Sequence, residues 1–581
     1  MYVVRQMRHR LSNAARSLSV TDPRAVSGRA TGLPWVWATT RARTDVTVIR
    51  PSESQEQNII FKPSPASLMC AGMSFSVSLF YPKVTLSSTV MTSALRQLAD
   101  EVPILAGRMV KERRRIFSRF SDHVIVVRRS PSDVGFSLRT RARENDTLRH
   151  AVDAIWKNKD PHLLHERRPQ SHTIEPISIG KTERDELAHV DVVNYSDGAV
   201  LTLHISHVLA DAGRAIKLLE RLSTIYEATH KNTPVPSTKI TCDTWFGTAM
   251  KAMANQPSKA ARDPTSTPSP TSPVSTVLNA IDLLRLRPSH ILELPEAIRY
   301  YKTTKFVPVY IYVPQNVVTA MQVHGAGGSE NARQTRTVVA PDPIKNKHPK
   351  LSRMDIVQAL AVTFIRAARP EMDGRGEKAN VIINMDLSLV YPSNSTNGRP
   401  DRPKSPNAVP DQRPPDSEND TLGNSSDFLQ VRSANFHPTD VLHNAHLIRA
   451  ALDEFRANAD DSVKAAIEQT VAMSSLPKAA VHTAFIIHGA REKLASCTAV
   501  ASFPIDAIRF GGVAPAFHSV SSHEGFDWWS IISRVSGELT PGMNGWIVAM
   551  NVPRGFETGA LLERAGVSLL PCGNLPLECL T

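Results

Sequence analysis

Residues 201–222 carry a strand pattern that runs directly into a helix pattern, and this transition constrains the fold more than any other segment. The segment reads LTLHISHVLADAGRAIKLLERL. Its first part has the composition of a strand and ends at His207. After Asp211 the apolar residues recur every three to four positions, which indicates an amphipathic helix. A strand followed at once by a helix favours a mixed fold of both elements.

His207 is the candidate catalytic residue of this segment, because a side chain at the end of a strand can face a cleft. Asp211 follows four residues later, which gives the pattern His-x-x-x-Asp. The chain has 20 histidines, so about one such spacing is expected by chance. A hydrogen-bonded histidine at a strand edge would leave the same pattern. The pair alone therefore does not separate a catalytic base from a structural histidine.

Strand and helix patterns also alternate along the rest of the chain. Strand composition predicts strands at 46–51, 73–82, 123–129, 306–314 and 381–390. Helical spacing of apolar residues predicts helices at 86–102, 353–368 and 440–455. The mixed order of these elements predicts an α/β or α+β protein.

Composition divides the chain of 581 residues into segments. We predict a disordered basic arm at 1–44, an N-terminal domain at 45–254, a Pro/Ser/Thr-rich crossover linker at 255–276, and a C-terminal domain at 277–581 with a disordered insert at 392–421. The arm holds eight arginines and a single acid, so it also resembles a transit segment. We expect a cytoplasmic protein, with mitochondrial targeting by the arm as the alternative.

Composition also argues against several classes of protein. The five cysteines form no CxxC pair, which argues against a disulfide framework or a structural zinc site and leaves a buried, inert thiol or a lone nucleophile. No run approaches 18 apolar residues, so no transmembrane helix is predicted. The net charge of +13 suggests nucleic-acid binding, but the basic residues are dispersed and no nucleic-acid-binding motif accompanies them. We therefore expect no nucleic-acid partner.

Several sequence blocks resemble, in order, those of the BAHD acyltransferases, which depend on CoA and belong to the chloramphenicol-acetyltransferase-like superfamily. The similarity spans about 46–575, and the order and spacing of the blocks carry it. The blocks are PILAGRM (103–109), HVLAD (207–211), LSRMDIVQALAVTFIRAA (351–368), NMDLSLVYP (384–392), TLGNSSDF (421–428), FPIDAIRFGGVAP (503–515) and GWIVAMNVP (545–553).

The resemblance implies two similar α/β domains with a solvent channel at their interface, where the catalytic histidine would lie. It implies acyl-CoA as a co-substrate, no tightly bound cofactor and no metal. His207 would act as the general base toward an alcohol or amine, since an imidazole titrates near neutrality. Asp211 would be structural and would position the motif.

The chain departs from the family pattern in three places. Ala212 stands between Asp211 and the usual glycine, and the block usually read as FGWG is FGGV, in which Phe510 and Gly511 are kept as structural residues. Asp386 and Arg509 stand where the family has Arg and Asp, respectively, joined in a salt bridge. We predict that this bridge persists with its charges exchanged, because losing one partner of a buried pair costs about 3 to 5 kcal/mol. Solvated side chains, together with a one-residue slip in the alignment, are the alternative.

The sequence thus predicts a monomeric acyltransferase that moves an acetyl or longer acyl group from CoA to a hydroxyl, less readily an amine, of a specialised metabolite. The main alternative is a protein that keeps the fold for ligand binding or scaffolding without catalysis. The altered FGGV block favours this alternative, and the intact His207 and Asp211 oppose it.

Overall fold

The structure is a computed structural model of the chain. It describes residues 44–51, 59–70, 73–111, 123–127, 135–153, 163–164, 186–236, 240, 250–251, 295, 299–300, 303–304, 306–331, 350–369, 379–386, 426–433, 436–437, 439–474, 476, 481, 494–522, 529–535, 544–554 and 556. The predicted linker and insert and almost all of the arm lie outside these ranges.

Most of the described strands belong to one large mixed sheet of thirteen strands. Three further strands, β2, β5 and β4, form a small sheet of their own. The strands are β1 (Thr44–Ile49), β2 (Ile59–Phe61), β3 (Ser74–Pro82), β4 (Arg108–Lys111), β5 (His123–Val127), β6 (Phe136–Arg143), β7 (Leu163–Leu164), β8 (Ala188–Tyr195), β9 (Gly198–Ser206), β10 (Phe306–Pro314), β11 (Ala379–Asp386), β12 (Ser426–Ser433), β13 (Leu494–Ala499), β14 (Phe517–Ser522), β15 (Trp529–Val535) and β16 (Gly545–Pro553).

The order of the main path of the large sheet is β1-β6-β8-β9-β3-β14-β15-β13-β11-β12, and β16 joins β15 to β10, which also pairs with β7.

Within the described ranges, none of the helices is long and apolar enough to cross a membrane. The structure describes the α-helices α1 (Pro65–Met69), α2 (Ser88–Glu101), α3 (Leu148–Asp153), α4 (Ala212–His230), α5 (Gln315–Asn331), α6 (Arg353–Ala367), α7 (Val441–Ala457) and α8 (Ala459–Ser474).

The N-terminal strands bury side chains on both faces of the sheet. On β9, Leu201, Leu203 and Ile205 join a core to which buried residues of α2 and α4 also belong. The residues between them, Thr202 and His204, are also buried but polar. Because successive side chains on a strand point to opposite faces, one face of this part of the sheet is apolar and the other is polar.

The two halves of the chain share the large sheet through β14. This strand comes from the C-terminal half, yet it pairs with β3 of the N-terminal half along six residues, from Phe517 opposite Phe80 to Ser522 opposite Phe75. A second core surrounds α6 and includes buried residues of β10, β11, β13 and β16. The predicted strands and helices that fall within the described ranges are confirmed, including the strand-to-helix transition after residue 201.

Candidate active site

His207 lies in the turn that follows β9 and precedes α4. Its backbone N–H donates to the carbonyl of Met73 at 2.9 Å. Its ring packs edge-on against Phe75, with the ring centroids 5.1 Å apart. The residue is half-buried. These contacts hold the imidazole in place, and the residue is still partly exposed to solvent. A general base needs both properties, because it must be positioned and must also reach a substrate.

Asp211 is the N-cap of α4. Its backbone is extended, with φ −82° and ψ −179°, and its carboxylate accepts a hydrogen bond from the backbone N–H of Arg214 at 2.9 Å. The residue is 2% exposed. A carboxylate at this position satisfies an N–H group that the helix leaves open and interacts favourably with the helix dipole. Asp211 thus holds the end of the turn that carries His207.

A buried histidine pair supports the strand that leads to His207. His204 on β9 stacks on His189 of β8, with ring centroids 4.2 Å apart and an interplanar angle of 21°. Nε2 of His204 lies 3.2 Å from a carboxylate oxygen of Asp191, and Nδ1 lies 2.7 Å from Oγ of Ser76. The sequence patterns do not predict this cluster. Its one local signal is a histidine that alternates with Leu203 and Ile205 along an apolar strand.

The same cluster is a candidate metal site by residue type alone. One ligand atom from each of His189, Asp191 and His204 lies within 4.8 Å of the others. A metal ion must lie near the plane of every imidazole that binds it. Two nearly parallel rings stacked 4.2 Å apart cannot both meet that condition. The arrangement therefore fits a hydrogen-bonded polar layer better than a metal centre.

Glu186 extends the polar layer toward β6. It accepts a hydrogen bond from Ser137 at 2.6 Å and lies 3.6 Å from the guanidinium of Arg139. Burial raises the pKa of its carboxyl group. The contacts with Ser137 and Arg139 act in the opposite direction, and the charge of Asp191 adds to the rise. Desolvation is thus the largest influence on the carboxyl group of Glu186.

The FGGV block forms a tight turn. The backbones of Phe510 and Val513 exchange two hydrogen bonds of 3.1 Å. Gly511 and Gly512 between them have φ angles of +61° and +76°, which residues with a Cβ adopt only with strain. The backbone N–H of Gly511 donates to the carboxylate of Glu227 on α4.

The ring of Phe510 fixes this turn against the core. It packs edge-on against Tyr226 of α4 and Tyr81 of β3, with ring centroids 5.1 Å and 5.4 Å away. The hydroxyl of Tyr81 also donates to the carbonyl of Ile508 at 3.1 Å.

The FGGV turn and His207 lie at opposite ends of α4. Asp211 caps the first turn of the helix, and Glu227 lies sixteen residues further on. A rise of about 1.5 Å per residue separates these positions by about 24 Å. The turn is therefore too far from His207 to donate a hydrogen bond beside it, and the same holds for Gly512, which stands in place of the family's tryptophan.

The predicted charge exchange involves two residues that the structure describes to different extents. Asp386 ends β11, and its side chain lies outside the described part of the structure. Arg509 precedes the FGGV turn and is exposed. An exposed guanidinium gains at most about 1 kcal/mol from an ion pair. The salt bridge with exchanged charges stays a prediction. It would stabilise the fold less than a buried ion pair would.

The chain has a mixed α/β fold, a large sheet covered by helices, and this fold matches that of the chloramphenicol-acetyltransferase-like acyltransferases. The predicted fold class is thereby confirmed. The division into two similar domains and the channel between them remain predictions.

Two crystal structures carry this comparison. TRI101 of F. graminearum, complexed with coenzyme A and deoxynivalenol, matches with a TM-score of 0.52 and 12% identity, over 85% of this chain and 95% of that chain. TRI101 of F. sporotrichioides, complexed with coenzyme A and T-2, matches with a TM-score of 0.52 and 12% identity, over 88% and 97%. No family model matches the sequence, and no curated protein matches it. At this identity the similarity establishes the fold.

Proposed function

We propose that this protein transfers an acyl group from an acyl-CoA to a hydroxyl group, or less readily an amine, of a small molecule, with His207 as the general base. The observation that carries the proposal is the placement of His207. It is half-buried in a turn between β9 and α4, and the capping carboxylate of Asp211 closes that turn. The TRI101 structures of the same fold hold coenzyme A together with a second small molecule.

The proposed reaction needs one proton to move twice. The neutral imidazole of His207 accepts the proton of the acceptor hydroxyl as its oxygen attacks the thioester carbonyl. The tetrahedral intermediate then collapses, the carbon–sulfur bond breaks, and the imidazolium returns the proton to the CoA thiolate. The products are the ester and free CoA. Asp211 takes no proton in this scheme, because its carboxylate is engaged at the helix N-terminus.

The structure weakens the main objection to catalysis. The altered FGGV block would favour a non-catalytic protein if it lay at the reaction centre. It lies instead at the far end of α4, on Glu227. Specialised metabolites as acceptors, a monomeric state and a cytoplasmic location are further parts of this proposal.

The test is an acyl-transfer assay with a matched pair of histidine variants. Purified protein is incubated with acetyl-CoA and longer acyl-CoAs and a panel of alcohols and amines, and both free thiol and acylated product are measured. His207→Ala should lose turnover by about 10² to 10⁴-fold and keep its thermal stability. His230→Ala changes an exposed histidine at the other end of α4 and should keep full activity.

Two outcomes would contradict the proposal. One is a His207→Ala protein that is folded and fully active. The other is a wild-type protein that binds CoA and transfers no acyl group to any acceptor, which would favour the ligand-binding alternative.

A further inference from the structure

Arg214 is a buried arginine in the first turn of α4, three residues after Asp211. It is 4% exposed. Its Nε and Nη2 atoms are buried, and neither has a hydrogen-bond partner in the part of the chain that the structure describes. Its backbone N–H donates to Asp211, but its guanidinium forms no ion pair with any described carboxylate. Two of the three guanidinium nitrogens are therefore buried without a hydrogen-bond partner among the described residues.

Arg221, two turns later on the same helix, shows how this chain otherwise treats a buried arginine. It is 8% exposed. Its Nε and Nη2 atoms donate to the carboxylate of Glu101 at 2.8 Å and 2.6 Å, and Nη2 also donates to the carbonyl of Pro236 at 2.7 Å. Among the described residues, one buried guanidinium of this helix is thus satisfied and the other has no partner for its Nε and Nη2 atoms.

An uncompensated guanidinium is costly to bury. Arginine does not escape the cost by losing its proton, because its guanidinium stays protonated in proteins. A buried charge is tolerated when an opposite charge and hydrogen bonds meet it. Among the described residues, Nε and Nη2 of Arg214 have no such partner, and a bound anion would supply one.

We propose that Arg214 binds an oxyanion, a carboxylate or a phosphate, next to the turn that carries His207. The planar guanidinium presents two parallel N–H groups that match the two oxygens of either anion. Arg214 lies seven positions after His207 in the sequence, and the capped turn at Asp211 keeps this segment compact. Assigning the anion to a substrate rests on the proposed acyl transfer: it would be a phosphate of CoA or a carboxylate on the acyl group or the acceptor.

The first experiment measures anion binding without catalysis. The melting temperature of the full-length protein is followed at constant ionic strength while chloride is replaced by inorganic phosphate, CoA or succinate. At least one probe should raise the melting temperature of the wild type by several degrees. Arg214→Met should lose this shift, and without added anion it should melt no lower than the wild type, because it removes an uncompensated charge.

Arg221→Met is the matched control. It removes a paired guanidinium from the same helix, so it should melt several degrees lower than the wild type and keep the anion-dependent shift. Arg214→Lys retains the charge but not the two-pronged geometry, and it should bind the effective probe roughly tenfold more weakly. The inference is wrong if no probe stabilises the wild type, if Arg214→Met keeps the shift, or if Arg214→Met melts as low as Arg221→Met.

The source of the anion is resolved by further probes. A shift with CoA that pantetheine fails to reproduce assigns the phosphates of CoA, and a shift with succinate assigns a carboxylate. His207→Ala should still bind the anion, because it leaves Arg214 intact. Anion binding without turnover in the wild type would therefore contradict the proposed acyl transfer, but it would still support the anion site at Arg214.

Discussion

Arg449 of α7 and Asp355 of α6 form a two-pronged ion pair between the helices. The Nη2 and Nε atoms of Arg449 lie 2.6 Å and 2.9 Å from Oδ2 of Asp355. The same carboxylate accepts a hydrogen bond from the backbone N–H of Ser352 at 2.6 Å, and Ser352 in turn caps α6. The buried carboxylate of Asp355 therefore stabilises the first turn of α6 and the contact between α6 and α7.

Arg449→Met should lower the free energy of unfolding by about 3 kcal/mol, because it leaves the carboxylate of Asp355 buried without its cation. Urea denaturation measures the loss. Arg456→Met changes an exposed arginine of the same helix, 3.9 Å from Asp453, and should stay within about 0.5 kcal/mol of the wild type. Equal stabilities of the two variants would show that the pair contributes nothing.

Asp211→Asn and Asp211→Ala should separate the capping role of Asp211 from its charge. An asparagine side chain still accepts the hydrogen bond from the N–H of Arg214, whereas alanine has no acceptor. We expect Asp211→Ala to lose about 1 kcal/mol of stability together with activity, and Asp211→Asn to keep most of the stability. A similar loss of stability in both variants would mean that the charge, and not the cap, matters.

Gly512→Trp restores the residue that the family pattern has at this position and should not raise turnover. The turn lies about 24 Å along α4 from the His207 end. A residue with a Cβ at φ +76° should cost about 1 to 2 kcal/mol of stability. Turnover per folded molecule and the melting temperature measure the two effects. A clear gain in turnover would instead show that the FGGV turn contributes to catalysis.

The sequence predicts the elements around the site because their signals are local. The strand that ends before His207 and the helix that begins after Asp211 both follow from apolar spacing over about ten residues. The order of the sequence blocks that resemble the BAHD acyltransferases predicts the fold as a whole. Each of these signals can be read within one segment or from the spacing between segments.

Pairing between distant strands cannot be read in this way. The stack of His189 on His204 requires β8 and β9 to pair in one register, and the contact of His204 with Ser76 requires β3 to pair as well. The sequence does not show the difference between Arg214 and Arg221 either, because both arginines lie on one helix, two turns apart, and the partners of Arg221, Glu101 and the carbonyl of Pro236, come from elsewhere in the chain. Tertiary contacts decide both cases.

Cys497 should behave as an inert thiol. It is fully buried on β13, and burial raises the pKa of its thiol to about 12, so almost no thiolate forms at pH 8. Treatment of the native protein with iodoacetamide, followed by mass spectrometry, should leave Cys497 unmodified until the chain is unfolded. Rapid labelling of Cys497 in the native state would instead support the alternative that it is a reactive nucleophile.

His518 of β14 should make the protein less stable as the pH falls. Burial, with a smaller contribution from the charge of Arg534, lowers the pKa of its imidazole to about 3, from an ordinary value of 6.5. Below pH 6.5 the unfolded chain therefore takes up a proton that the folded chain refuses until about pH 3. The free energy of unfolding then decreases with falling pH, by up to about 1.4 kcal/mol per unit.

Urea denaturation between pH 6.5 and pH 4.5 tests this contribution of His518. His518→Gln removes the titrating group but keeps an acceptor for the backbone N–H of Arg534, which lies 3.4 Å from the imidazole. Its stability should decrease less steeply over this range than that of the wild type. The exposed His230, changed to glutamine in the same way, should follow the wild type. Parallel curves for the wild type and His518→Gln would mean that the imidazole at β14 takes up its proton equally well in the folded chain.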